Sequence, residues 1–355
     1  MDLCKMKISI CIPQFNRIEY LKIVLRDIEK QDYEDIEVCI SDDASNDDTE
    51  ETITNIKKDY KFPLVYYRFA TNNGYDRNLR KSMELASGDY CFILGNDDTL
   101  SDTNAISRLT TFLKENAQPD VGFCNSADYI KTQEVQTRAN ETRVIGTGVE
   151  IALKYYSSFS FVAGLIFKRS AFLQHNTNEF DGSIYVQIYL ACRIICNGGL
   201  FFTYNEALVH KDVRVANQIA NSYREKLPRK WSEFQRLDSG LPSYSNVAYQ
   251  AISRSLSDDS ERDLIAFSIL KRIYMFTYPF WLVDFRENDA IVASFGLING
   301  LPPNKFQFYK QLSLLRRIKV NLLYTSSSFI GIITPLFLYR KAKKTLYKIA
   351  KKHPV

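Results

Sequence analysis

Short apolar runs alternate with amphipathic stretches through the first 125 residues, and this alternation constrains the fold more than any other feature of the chain. KISICIP (7 to 13) reads as a buried strand, and EYLKIVLRDIEKQ (19 to 31) puts Leu21, Val24, Leu25 and Ile28 on one helical face. IEVCISD (36 to 42) is the next strand. Asn46 and Asp47 can cap a helix from about 48 to 60, and PLVYYRF (63 to 69) is a third strand. A helix from about 78 to 86 then leads into the strand DYCFIL (89 to 94). Strands separated by helices at this spacing predict right-handed βαβ units, hence an α/β fold with a mainly parallel sheet flanked by helices. Ligands of such sheets bind beyond the carboxyl ends of the strands.

Four polar segments follow the four predicted strands: PQFNR (13 to 17), DDASND (42 to 47), TNNGYDRN (71 to 78) and GNDDT (95 to 99). They bring acids, amides, Arg17 and Arg77 to one edge. Adjacent carboxylates repel, so Asp97 and Asp98 either face water in a turn or share a cation. A single polar loop is unremarkable, but four on one edge suit an anionic ligand held through a divalent cation and an arginine.

The series ISICIPQFNR, EVCISDDASNDDT, NNGYDRN and SGDYCFILGNDD resembles the amino-terminal half of family 2 glycosyltransferases, which have the GT-A fold. The GNDD form of the last motif, with the CIP opening, looks most like the branch containing abequosyltransferases and other sugar transferases of O-antigen or capsule assembly. The resemblance covers roughly residues 7 to 125 and fades beyond about 200. It implies a first nucleotide-side loop at Pro13, Phe15 and Arg17, the family more often having Tyr at the position of Phe15. It further implies Asp42 and Asp43 at the base and ribose, and Arg77 and Asn78 on the diphosphate side. The D-x-D motif of the family falls on Gly95, Asn96 and Asp97, so its first acid is missing. Asp97 is then the expected ligand of Mn²⁺ or Mg²⁺, with Asp98 beside it as a second catalytic carboxylate. Such a cation stabilises charge on a departing diphosphate without a proton.

SFSFVAGLIFKRSAF (158 to 172) resembles the acceptor-side turn, strand and helix start of the family. An acidic pair follows in many relatives, one acid serving as general base. The matching stretch is EFDGSIYVQIYL (179 to 190), where Asp181 ranks ahead of Glu179 as the candidate base, with an exposed turn acid as the alternative. His210, in EALVHKD, falls where some GT-A enzymes place a metal-ligating histidine; Lys211 and Arg214 nearby suit a phosphate, and a satisfied surface histidine is the plainer reading.

Charge is unevenly placed. Twelve of the 46 Lys and Arg residues follow Asp289, where no Asp or Glu occurs, so the remaining 34 face all 41 acids. FIGIITPLFLY (329 to 339) is about half of the roughly 20 apolar residues that span a bilayer, and RKAKKTLYKIAKKH follows it directly. That combination suits an anionic membrane surface, with a core helix or a nucleic-acid contact as alternatives, the latter disfavoured. The seven cysteines include no C-x-x-C pair and several lie in apolar runs, which predicts reduced core thiols. The first residues lack a long apolar signal region, so the expected setting is the cytoplasm, peripheral on the inner face of the cell membrane.

The expected organisation is a GT-A domain over 1–215, with a donor half (1–125) and an acceptor half (126–215). A helical region over 216–355, including the stretches LPRKWSEFQRL and ERDLIAFSILKRIYMF, carries the membrane-associating tail from about 305. The expected activity is metal-assisted transfer of a sugar from a nucleoside diphosphate sugar to a saccharide or polyprenyl-linked acceptor. A nucleotide-sugar-binding protein without transfer activity is one alternative. A nucleotidyltransferase is another, disfavoured because no Gly-rich phosphate loop with a lysine stands near the N-terminus.

Overall fold

The computed structural model describes residues 5–216 and 223–352. The chain divides into two compact units, Met1–Ala152 with Tyr156–Ile219, and Leu153–Tyr155 with Ala220–Val355. Cys4 and residues 353–355 of the basic tail lie outside the described residues.

The first unit opens with β1 (Ile8–Gln14), α1 (Ile18–Glu29), β2 (Ile36–Asp42), α2 (Thr49–Ile56), β3 (Leu64–Arg68), α3 (Tyr75–Glu84) and β4 (Tyr90–Ile93). It continues with β5 (Thr99–Leu100), α4 (Ala105–Glu115), β6 (Val121–Asp128), β7 (Val135–Gln136), β8 (Arg143–Gly146), α5 (Val149–Tyr155), β9 (Leu165–Lys168), α6 (Arg169–His175), α7 (Val186–Cys196) and β10 (Phe201–Lys211). Among the described residues these strands form one ten-stranded sheet with the main order β3-β2-β1-β4-β9-β6-β10-β5. β3, β2, β1 and β4 pair in parallel. Beyond them the sheet is mixed, because β9 runs antiparallel between β4 and β6.

β2 is buried along its whole length and β1 nearly so, which is why both read as continuous apolar runs rather than alternating ones. α1 buries Ile18, Leu21, Val24, Leu25 and Ile28 against this sheet at helical spacing. Cys11, Cys39, Cys91, Cys124 and Cys192 are buried free thiols, and Cys196 is partly buried. Cys11 stands opposite Cys39 in the ladder, and burial holds its thiol well above the ordinary value.

At the amino ends of the parallel strands, Glu37 is buried within a full set of donors. Its carboxylate meets Lys7 Nζ at 2.7 Å and accepts from Ser9 Oγ (2.6 Å), Ser87 Oγ (2.8 Å) and the Gly88 amide (3.1 Å). Burial alone would raise this acid, but bonds from Lys7, Ser9 and Ser87 outweigh it and hold Glu37 at about 2.

The second unit is helical: α8 (Leu241–Ser253), α9 (Asp259–Arg272), α10 (Tyr278–Glu287), α11 (Ile291–Gly300), α12 (Leu314–Ile333) and α13 (Leu336–Lys352). α9 passes through a π-helical stretch, Ile273–Thr277, into α10. The helix expected over LPRKWSEFQRL is absent, only a 3-10 turn at Trp231–Glu233 forming there. The Leu237 amide instead donates to the Gly296 carbonyl on α11 at 2.9 Å, so a tertiary bond replaces the local helix.

Candidate active site

The four polar segments meet at the carboxyl ends of the parallel strands around a cleft of about 500 Å³. Pro13, Phe15, Arg17, Asp43, Asn78, Asn96, Asp97 and Asp98 line one side, and residues 160–163 line the other.

Gln14 joins the loops at the base of the cleft. Its amide nitrogen donates to Thr49 Oγ1 (3.1 Å) and its Oε1 accepts from Asn96 (2.9 Å). Its backbone carbonyl accepts from Asn78 Nδ2 (2.8 Å) and the Asp43 amide (2.9 Å). Asn16 and Arg17 are both left-handed, with φ of 51° and 66°. Each costs on the order of 1 kcal/mol for a non-glycine residue. Neighbouring loops hold Asn16 there: its amide donates to Ser45 Oγ (2.8 Å) and its Oδ1 accepts from the Asn46 amide (3.0 Å). Asp47 accepts from the Ile18 amide (3.0 Å) and the Thr49 amide (3.2 Å), so one carboxylate serves the starts of α1 and α2.

The adjacent acids after β2 have different fates. Asp42 is fully buried and engaged, accepting from the Ser45 amide (2.9 Å) and from the Tyr66 hydroxyl (2.6 Å). Burial and this bond raise Tyr66 far above the ordinary tyrosine value. Asp43 lines the cleft and clasps the Asn73 (2.7 Å) and Gly74 (2.9 Å) amides, which fixes the loop entering α3. Arg77 points elsewhere, pairing with Glu84 at 2.8 Å and stacking over Phe69 at 5.5 Å.

After β4, the Asp97 carboxylate meets the Arg17 guanidinium at 2.6 Å on the cleft wall. Asp98 is pushed up to about 7, first by burial and then by the neighbouring charge of Asp97, although the Asp212 amide donates to it at 3.1 Å. Gly95 makes room for this arrangement. A Cβ there would lie 2.6 Å from Asp98 Oδ2, so Asp98 occupies the space that a side chain at position 95 would need.

Two polar atoms in the cleft have no partner, Tyr75 Oη and Asn78 Oδ1. A buried unpaired donor or acceptor costs roughly 1–3 kcal/mol.

The opposite wall is held from behind. The Arg138 guanidinium donates to the carbonyls of Cys124 (2.6 Å), Phe161 (2.7 Å) and Ala163 (2.5 Å) and stacks over Phe123 at 5.2 Å. Burial pushes it down to about 10, still charged at neutral pH. Gly164, with φ of 75°, is required at this corner because a Cβ would come within 2.5 Å of Cys124 Sγ. Gln187 reaches the Ser160 carbonyl at 3.5 Å, and its Oε1 is unpartnered.

Asp181 does not line this cleft. It lies in a separate hollow with Arg77, Glu84 and Asn176, gripped by Nε and Nη2 of the buried Arg80 at 2.9 and 2.5 Å. Nearby, Asp76 accepts from the Ile184 (2.6 Å) and Val186 (3.0 Å) amides, and burial raises it. His210 stands in β10 opposite Thr99 of β5, outside the cleft lining, and burial lowers it. Of the residues singled out from sequence, Pro13, Phe15, Arg17, Asp43, Asn78, Asn96, Asp97 and Asp98 come together, while Asp42, Arg77, Asp181 and His210 do not line the cleft. Sequence reading passed over Tyr75 and Arg138. For Tyr75 the signal was an aromatic residue directly after Gly74 in a polar loop; for Arg138, far along the chain from the wall it holds, no local signal exists.

Residues 9–174 match the model of glycosyl transferase family 2. Over 122 residues the chain is 46% identical to the abequosyltransferase RfbV of Salmonella typhimurium, covering 34% of this chain and 36% of that protein. It is 31% identical over 118 residues to the GalNAc(5)-diNAcBac-PP-undecaprenol β-1,3-glucosyltransferase of Campylobacter jejuni, covering 33% of this chain and 38% of that one. These matches thus span little more than a third of the curated relatives. The crystal structure of S. aureus TarS 1-349 in complex with UDP superposes with a TM-score of 0.59 over 90% of this chain and 92% of that one, at 16% identity, which establishes a shared GT-A fold.

Proposed function

We propose that this chain, whose residues 9–174 form a glycosyl transferase family 2 domain, moves a sugar from a nucleoside diphosphate sugar to a saccharide acceptor in surface polysaccharide synthesis, O-antigen or capsule, including acceptors carried on a polyprenyl lipid. The observation that carries this reading is the cleft itself, in which the charged side chains of Arg17, Asp97 and Asp98 share one hollow with residues 160–163 at the carboxyl ends of the parallel strands. The 46% identity to an abequosyltransferase falls in a stretch about the length of the donor half and supports the same chemistry.

Asp43 and the Gly74 loop bound the pocket proposed for the nucleotide, and Arg17 offers a cation to the diphosphate once Asp97 is otherwise engaged. Asp97 and Asp98 are hard oxygen donors suited to Mg²⁺ or Mn²⁺. Among the described residues no group of three or more His, Cys, Asp or Glu converges on one point, so the fit is to an ion that takes its remaining oxygens from ligand and water. Bound there, the cation would supply Lewis-acid stabilisation of the leaving diphosphate. His210, outside the lining, is left out of this donor set.

A second reading, nucleotide-sugar binding without transfer, is favoured by Gly95 and by the acids lining the cleft, Asp43, Asp97 and Asp98, all standing on the donor wall. The test is to incubate the protein with UDP-, GDP-, CDP- and dTDP-sugars, Mn²⁺ or Mg²⁺ and lipid-linked or free saccharides, and follow nucleoside diphosphate release. Acceptor-stimulated release from one donor is expected. Tight binding without release selects the second reading, and pyrophosphate release from a nucleoside triphosphate would point to nucleotidyl transfer.

A further inference from the structure

α12 is held on one side and bare on the other. Val320, Ser327 and Gly331 form its buried side. A Cβ at Gly331 would lie 2.6 Å from Leu282 of α10, so the two helices pack at close range there. Arg286 of α10 donates to the Gly331 (2.7 Å) and Thr334 (2.9 Å) carbonyls, and the Tyr278 hydroxyl meets Ser328 at 2.6 Å. The rotation of α12 about its axis is therefore fixed by this unit's own core.

The opposite side carries Leu315, Ile318, Leu322, Phe329 and Ile333, each between 49% and 72% exposed. Their spacing of 3, 4, 7 and 4 residues keeps them on one stripe along a 20-residue helix. A scattered exposed leucine is ordinary, but a stripe of this length, interrupted at one turn by Thr325 and Ser326, marks an interaction surface. A bend of 104° follows, and α13 adds exposed Phe337 with Lys341 one turn on. No single helix among the described residues is long and apolar enough to cross a membrane.

Charge selects the occupant. From residue 290 to the end of the chain there are twelve Lys and Arg and no acid. Part of this charge is spent within the unit: Arg316 pairs with Asp263, Arg340 with Glu287, and Lys343 with both Asp284 and Glu287. The Arg316 pair ties α12 to α9 and the others fasten α13 to α10, which leaves exposed Lys319 and Lys341 beside the stripe. A second copy would present the same positive charge to this face. An anionic lipid surface complements it in both respects, taking the apolar stripe at the acyl boundary and the lysines at the headgroups.

We infer that the outward stripe of α12, together with the start of α13, is a docking surface for anionic lipid, along which α12 lies parallel to the membrane. This inference stands on the second unit alone and does not depend on the transfer chemistry.

The test is co-sedimentation of the full chain with phosphatidylcholine vesicles containing one third phosphatidylglycerol, against phosphatidylcholine alone. Three forms are compared: wild type, the triple variant Leu315→Ser, Leu322→Ser, Phe329→Ser, and the double variant Lys319→Glu, Lys341→Glu. Wild type is expected to bind the anionic vesicles preferentially and to be released in about 1 M salt, where the screening length falls to roughly 3 Å. The triple variant should bind at least about tenfold more weakly, since each exposed side chain buried in lipid contributes on that scale. Melting temperatures of both variants should be unchanged, because the substituted positions face outward. The double variant tests the charge argument should the triple variant fold poorly; equal binding to both vesicle types by wild type and double variant would overturn it. Three other results would sink the inference: no wild-type binding, a wild-type dimer that the triple variant renders monomeric, or retention on vesicles through both high salt and alkaline washing, which indicates insertion.

Discussion

Two acids at opposite ends of the same strands show how this sheet separates stability from function. Glu37, at the amino ends, is buried among Lys7, Ser9, Ser87 and Gly88 and is held at about 2. Asp98, at the carboxyl ends, is equally hidden but lies beside the charge of Asp97 and is pushed up to about 7. Every donor around Glu37 comes from within the fold, so nothing is gained by adding a ligand there. The carboxyl edge instead keeps unpaired Tyr75 and Asn78 atoms, two left-handed residues and crowded carboxylates, and the crowding of Asp97 on Asp98 is what a cation would relieve.

The sharpest way to break the comparison is Asp97→Ala, which should lower turnover roughly a hundredfold or more with little change in melting temperature. A large loss of stability with full activity would place Asp97 among the structural acids. Glu37→Gln should do the reverse, costing on the order of 2–3 kcal/mol of stability while leaving turnover of the folded protein near wild type. Because the folded-state value of Glu37 is depressed, its contribution is present above about 4.5 and is lost as pH falls toward about 2, so acid titrations of wild type and variant should converge there.

Gly95→Asp writes the missing acid back, and yet the added Cβ would press within 2.6 Å of Asp98. It should destabilise by about 1–2 kcal/mol and reduce activity; a gain in activity would mean that Asp98 does not fill that place. Asp98→Asn should raise stability at pH 8 by about 1 kcal/mol, since it removes a crowded charge and keeps the acceptor for the Asp212 amide. The sign follows from the raised folded-state value: wild type loses stability as pH rises from about 4 to about 7, and the variant should show a flatter profile. The smallest effect is expected for Asp181→Asn, within about threefold in turnover, whereas loss of a general base costs roughly 10²–10⁴-fold.

The half proposed for the donor was legible in the sequence because its determinants are local. Strands β1 to β4 are short apolar runs, each followed by its own polar loop, and topology alone carries those loops to one edge. The half proposed for the acceptor depends on partners far apart in the chain. Asp181 reads from sequence as a candidate base, whereas in the fold Arg80, 101 residues away, grips it. Arg138 holds carbonyls around residue 161 that no local pattern predicts. Asp42 and Asp43 look alike in sequence, and it is Ser45 and the Tyr66 hydroxyl on β3 that engage Asp42 within the fold. In the second unit, the apolar run 329–339 is visible in the sequence, but Pro335 divides it between α12 and α13, and the exposed stripe begins fourteen residues earlier at Leu315.

The most direct test of the central claim is thermal unfolding with UDP, GDP, CDP and dTDP, each with and without Mn²⁺, for wild type and Asp97→Ala. A nucleotide present at 100 times its dissociation constant should add about 2.7 kcal/mol, a shift of several degrees. The account predicts stabilisation by one nucleotide only when metal is present, abolished by Asp97→Ala. Stabilisation that ignores metal and survives Asp97→Ala, or none with any nucleotide, would contradict a cation and diphosphate site at the carboxyl edge of the sheet.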